Sequence, residues 1–258
     1  MPAATVHPRT CAVEPARSAV QPSGVALDHS AAELKAVAPI LAKGELIATC
    51  TFVTSGERTV GVASAERLRA HQGVPFVIGT RLDGSATIPV ASWNLSFSGV
   101  AIVQIAEPLT GDVEPLQVGS VCATVNTHGA PAAIVAVERD GKGWKRVVVP
   151  VDVDVIDGGG MSDVITRLAT PRTEVDVDAD GSSLFAQFPA NPALARPRET
   201  VLVALGVAYR HAVFKPRSLP PLVELVGLDD LGRALAFSAP TPEARDKVVA
   251  GEIADRKP

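Results

Sequence analysis

A succession of short, valine-rich apolar runs, each closed by Gly, Pro, Asp or Asn, dominates this sequence and decides its fold class. ELIATCTFV, RTVGVAS, PFVIG, ATIPVAS, VAIVQIA, SVCATVN, AAIVAVER, KRVVVPVDVDVI, EVDVDA, SLFAQF, TVLVALGVAYR, PLVELVGL and ALAFSA have the length, β-branching and turn punctuation of strands. About a dozen strands spaced ~8–15 residues apart, with no helices between them, imply antiparallel sandwiches or barrels, not βαβ units. With 258 residues, 47% of them apolar and 20% charged, the chain has the material for one or two such cores. An all-β protein with helical trim is expected.

The trim is legible at both ends. Pro2, Pro8, Pro15 and Pro22 fall in a stretch without helical or alternating pattern. Proline at that density fixes φ and removes amide donors, so 1–28 is expected to be an extended Pro-rich N-terminal arm. From Ser30, SAAELKAVAPILAKG predicts a short N-terminal helix with Ser30 as N-cap and Glu33 three residues on, ended or kinked by Pro39. Near the far end, TPEARDKVVAGEIADR offers Thr241 as N-cap, Pro242 in the first turn and acids ahead of bases, which predicts a C-terminal helix and tail over 241–258. The 107–119 loop, EPLTGDVEPLQVG, reads as a hinge between a first set of strands over 29–115 and a second over 116–240.

Charge and cysteine content exclude several classes. The 24 basic and 28 acidic residues give a net charge of −4 without a dense Lys/Arg block. That distribution gives no counterion-release drive toward phosphate backbones, so nucleic acid is not an expected partner. Cys11, Cys50 and Cys122 are odd in number and lack CxxC spacing, which suggests neither a disulfide framework nor a thiolate metal site and fits a reducing compartment. The first twenty residues have no continuous apolar stretch, and no run approaches the ~20 apolar residues that span a bilayer. A cytoplasmic protein without membrane insertion is the expectation.

Few residues outside the strands carry chemistry on their own. His128 in NTHGAP and His211 in YRHAVF each stand alone, without a carboxylate or second histidine at metal-ligand spacing. Asp176, Asp178 and Asp180 in DVDADG have the alternate-carboxylate spacing of a calcium loop, with a glycine for the sharp turn. Position twelve of that loop would be Gln187 in place of the usual glutamate, and its flanks are strand-like. The plainer reading is a strand with Val175, Val177 and Ala179 inward and carboxylates outward, as Asp152, Asp154 and Asp157 repeat in VDVDVID. Gly158, Gly159 and Gly160 form a turn with no lysine or helix start behind them to cradle phosphate. Trp93 and Trp144 sit beside strands as packing residues. No cofactor is expected.

Three stretches together resemble the trypsin-like, chymotrypsin-fold serine proteases. CTFVTSGERTVGVASAERL is similar to the passage that ends in the turn holding the catalytic histidine. SGVAIVQIAEPL is similar to the strand that begins at the catalytic aspartate. DADGSSLFAQF followed by TVLVALGVAY is similar to the nucleophile loop and the strand lining the specificity pocket. The resemblance implies two six-stranded antiparallel β-barrels, over 29–115 and 116–240.

At all three catalytic positions the residue differs. Glu66 stands where the family has histidine, Gly99 where it has aspartate and Asp180 where it has the nucleophilic serine, with separations of 33 and 81 residues. Glutamate, glycine and aspartate cannot form a relay that needs a base titrating near neutrality, an orienting group and an attacking hydroxyl. The resemblance therefore implies a degenerate member, a pseudoprotease, acting as a scaffold or regulatory module toward another protein. The alternatives are an active serine hydrolase using Ser182 or Ser183 with His71, or a calcium-binding β module. The plain reading of Ser182 and Ser183 is turn residues, and of His71 a surface residue at a helix end.

Overall fold

The structure, a computed structural model, describes residues 31–55, 58–95, 100–118, 121, 130–157, 165–171, 181–188, 199–208 and 223–227; beyond 153, side chains are described only at 181–187, 200, 202, 204 and 205. Its first strands are β1 (Val37–Ala42), β2 (Glu45–Ser55), β3 (Arg58–Ser64), β4 (Val77–Gly79), β5 (Thr87–Leu95), β6 (Val100–Ile105) and β7 (Leu116–Gln117). They form a seven-stranded sheet ordered β1-β4-β5-β6-β3-β2-β7, in which β1 also pairs with β2. The later strands are β8 (Ala132–Asp140), β9 (Gly143–Asp157), β10 (Ile165–Pro171), β11 (Ser183–Phe188), β12 (Glu199–Ala208) and β13 (Val223–Gly227). They close a barrel in the order β10-β13-β12-β11-β8-β9. Counted from the first strand of each set, both follow one path: first to second to third, then sixth, fifth and fourth, and back to the first.

Local sequence explains the turns. Lys43 and Gly44, between the paired residues Ala42 and Glu45, have φ of 51° and 83°. Two left-handed residues make the kind of two-residue hairpin turn whose twist matches the flanking strands. Between β8 and β9, Gly141 takes φ of 57° so that Asp140 can pair with Gly143.

The helix expected from Ser30 is corrected. Only a five-residue 3-10 turn, Ala32–Ala36, forms, without a side-chain cap, and Pro39 lies inside β1. Proline pushes the preceding Ala38 out of the helical region, and burial of Val37, Ala38 and Ile40 rewards an extended chain packed on both faces. The ladder to β4 starts at Ile40, so Pro39 removes no bond from it.

The 107–119 loop, expected as a hinge, is instead pinned. The amide of Asp112 donates to the carbonyl of Thr80 at 2.7 Å and that of Glu114 to Lys35 at 3.2 Å. β7 pairs in parallel with β2, and Val113, Leu116 and Val118 are buried. The N-terminal arm, the C-terminal helix, Cys11, Cys122 and the glycines at 158–160 lie outside the described residues. Among the described residues, no helix is long and apolar enough to cross a membrane.

β2 is the axis of the packing. Its even positions, including Cys50 and Phe52, face the core of the first sheet, where Gly61 on β3 leaves room for both. Burial pushes the Cys50 thiol far above the ordinary thiol range. Its odd positions, including Thr49 and Thr51, face the second set of strands. The apolar core runs on without a break from these strands to Ala133, Val135, Phe185, Leu202 and Leu205. Trp144 is buried and Trp93 half-buried, as packing residues should be.

Candidate functional site

The three stretches singled out in the sequence meet at Ser64. β3 ends there, and the Ser64 hydroxyl accepts the amide of Arg67 at 3.5 Å, capping the short helix α1 (Ala65–Ala70). Glu66 sits exposed in the first turn of α1. Across the sheet, Ser64 pairs with Val100, the residue after Gly99. From the other set of strands comes Gly181, the residue after Asp180. A Cβ placed on Gly181 would lie 3.3 Å from the Cβ and amide nitrogen of Ser64 and from the carbonyl oxygen of Thr49. Gly181 also has φ of 85°, a conformation in which side chains are strained. Gly99 and Asp180 themselves lie outside the described residues.

The hydroxyls behind Gly181 are inside the protein. Ser182 and Ser183 are fully buried. Ser183 opens β11, paired with Leu205 of β12 and Val135 of β8, so it belongs to a strand and not to a turn. Its Oγ is hydrogen-bonded to Oγ1 of Thr51. One turn of the pleat away, the amide of Val137 donates to Oγ1 of Thr49 at 3.1 Å. A seam of buried hydroxyls thus joins the two sets of strands. Each such bond contributes roughly 0.5–1.5 kcal/mol net, while a hydroxyl left unpaired there costs about 1–3 kcal/mol.

His71 is the C-cap of α1 and half-buried. His128, His211, Asp176 and Asp178 lie outside the described residues. Sequence reasoning missed Thr49, Thr51 and Ser64. The signal was present in IATCTFV, where two threonines two residues apart share one face of a strand that is otherwise apolar. Such inward hydroxyls need a partner, and the two serines after Gly181 are hydroxyls from the same stretch singled out for the nucleophile loop.

No protein-family description matches the chain, and no curated protein matches its sequence. Solved structures do. Human heparin binding protein superposes with a TM-score of 0.52 at 13% identity, covering 82% of this chain and 96% of that one. A doubly substituted form of human heparin binding protein gives a TM-score of 0.54 with the same identity and coverage. The protease domain of MamO from Magnetospirillum magneticum aligns over 78% of this chain and 95% of its own at 12% identity and a TM-score of 0.47. The structural neighbours are chymotrypsin-fold serine protease homologues, and the fold of this chain, mostly β with a six-stranded barrel, is trypsin-like.

Proposed function

We propose that this trypsin-like chain is a catalytically inactive protein that works by binding another protein, on a body of two six-stranded barrels. The observation that carries the reading is the placement of Ser182 and Ser183. Both are fully buried, and the Ser183 hydroxyl is bonded to Thr51. A nucleophile must be open to substrate and within ~2.6–3.2 Å of its base. Glu66, a carboxylate where the resemblance calls for the imidazole, is exposed on α1. Loops on a packed two-part scaffold remain usable for recognition after chemistry is lost. Cysteine spacing without a disulfide pattern favours the cytoplasm as its compartment, and the partner is neither nucleic acid nor membrane.

The test has two arms. Full-length folded protein treated with a fluorophosphonate probe is expected to take up no label; labelling that disappears in Ser182→Ala or Ser183→Ala would overturn inactivity. Crosslinking in the native cell is expected to trap a stoichiometric complex with a second protein. Recovery of the free monomer alone would remove the scaffold role.

A further inference from the structure

Besides the continuous apolar core, two groups of polar contacts of unequal exposure join the two sets of strands among the described residues. Where β2 meets β8 and β11, the hydroxyls of Thr49, Thr51 and Ser183 are buried and bonded. Farther along the same β8–β9 hairpin, in which Val137 pairs with Arg146, the tip meets the connection between β4 and β5, where the amide of Trp144 donates to the carbonyl of Leu82 at 2.9 Å. Gly143 and Gly84 permit that approach, since a Cβ on Gly143 would overlap the Leu82 carbonyl and one on Gly84 the Lys142 carbonyl. A Cβ on Gly79 would stand 2.8 Å from the ring of Pro39 and 3.0 Å from Nε1 of Trp144.

This second contact is close but leaves one buried donor without a partner. Nε1 of Trp144 is buried and has no hydrogen-bond partner. Arg146, with its guanidinium carbon 5.0 Å from the centre of the Trp144 ring, spends its donors on main-chain carbonyls alone: Val37 at 2.8 Å, Lys35 at 3.0 Å and Asp112 at 2.9 Å. Burial pulls that guanidinium below its usual pKa, opposed by the carboxylates of Asp112 and Glu114. A cleft of about 730 Å³, running from Leu82 and Asp83 to Lys142 and Lys145, borders the tip. A small outward step of the hairpin would break the Trp144–Leu82 bond and the Arg146 bonds. The Arg146 bonds, however, are exposed or half-buried beside that cleft, where water can replace them and reach the indole N–H, whereas the bonds of the hydroxyl seam are buried.

We propose that the β8–β9 hairpin tip is a latch: Trp144 and Arg146 release it from the first sheet while the seam of Thr49, Thr51 and Ser183 stays closed. The latch leaves the seam intact, lets the first sheet, the 112–114 segment and the hairpin move apart locally, and does not depend on whether the chain is an enzyme.

Amide hydrogen exchange of the full chain, read residue by residue by NMR, tests this. The amides of Trp144 and Asp112 should exchange about tenfold or more faster than that of Val137, which donates into the seam. Trp144→Phe keeps a ring and deletes the unpartnered N–H, so it should slow exchange at 144 and 112 several-fold; Arg146→Met should speed it. Neither should move Val137. A single exchange rate shared by 112, 137 and 144, or faster exchange at 144 in Trp144→Phe, would overturn the latch. If Arg146→Met does not fold, Arg146→Lys, which cannot reach all three carbonyls, is read in the same way.

Discussion

Oγ of Ser183, at the head of a strand in the barrel, and Oγ1 of Thr51, in the middle of a strand of the other sheet, share one hydrogen bond in a site with no solvent exposure. Residues 132 positions apart thus depend on each other for the pairing of a buried hydroxyl. Thr51→Val keeps the shape and strands the serine hydroxyl, at a cost of about 1–3 kcal/mol. The double variant Thr51→Val with Ser183→Ala leaves neither group unpaired and should unfold nearer to wild type than the sum of the single changes. Urea unfolding of the four proteins measures the coupling, and strict additivity would count against the bond.

Gly61 is expected to tolerate no side chain. A Cβ there overlaps Sγ of Cys50 and comes within 3.0 Å of Phe52 and 3.3 Å of Val103. Gly61→Ala should lose ~1–3 kcal/mol through overpacking. Adding Cys50→Ala removes the sulfur and should restore part of that loss; the midpoint of thermal unfolding reads both.

Cys50 also gives the protein an alkaline dependence of known sign. Its thiol stays protonated in the fold because burial raises its pKa, while the unfolded chain ionises it from about pH 8.5 upward. Over that window the unfolded state holds fewer protons, so stability is full below it and declines as pH rises. Cys50→Ala should flatten that decline. A thiol reagent should modify Cys50 at the rate of unfolding in a variant lacking Cys11 and Cys122, and rapid modification of that native protein would contradict the burial of Cys50.

The resemblance implies that Glu66 and Asp180 face each other, and their neighbours' contact gives a way to test it. Gly181 abuts Ser64, so cysteines introduced as Glu66→Cys and Asp180→Cys, in a chain freed of its own thiols, should be bridged by a short bis-maleimide. Bridging should compete with any attachment between molecules even in dilute solution. Failure to bridge while each cysteine reacts singly would separate the two loops and with them the likeness to a protease cleft.

The strands were legible because β-branched runs and turn residues are local signals, and β2, β3, β6, β8, β9 and β12 lie where their valines placed them. Residues 37–42 misled for a reason that is not local: a segment with a plausible cap and helical apolar spacing was drawn into a strand by the partners it meets in β2 and β4. The 107–119 loop misled in the same way, since nothing in its prolines and glycines announces that β7 will pair with β2. In the candidate site, the passage from β3 that leads to Glu66 could be read from RTVGVAS. The hydroxyl seam could not be read whole, because Thr51 and Ser183 acquire meaning only when two distant strands are laid side by side. The Arg146 contacts were invisible for the same reason, a basic side chain in KRVVV being ordinarily a solvated one.

Both sets of strands trace one path, yet they do not assemble on equal terms. Every pairing within the first sheet is completed between residues 37 and 117, before β8 at 132 has begun. During synthesis the leading half can therefore take its shape while the rest is still being made. It would wait with the Thr49 and Thr51 hydroxyls unpartnered and the main-chain oxygens of Lys35 and Val37 open to water, until the trailing half arrives and is measured against them.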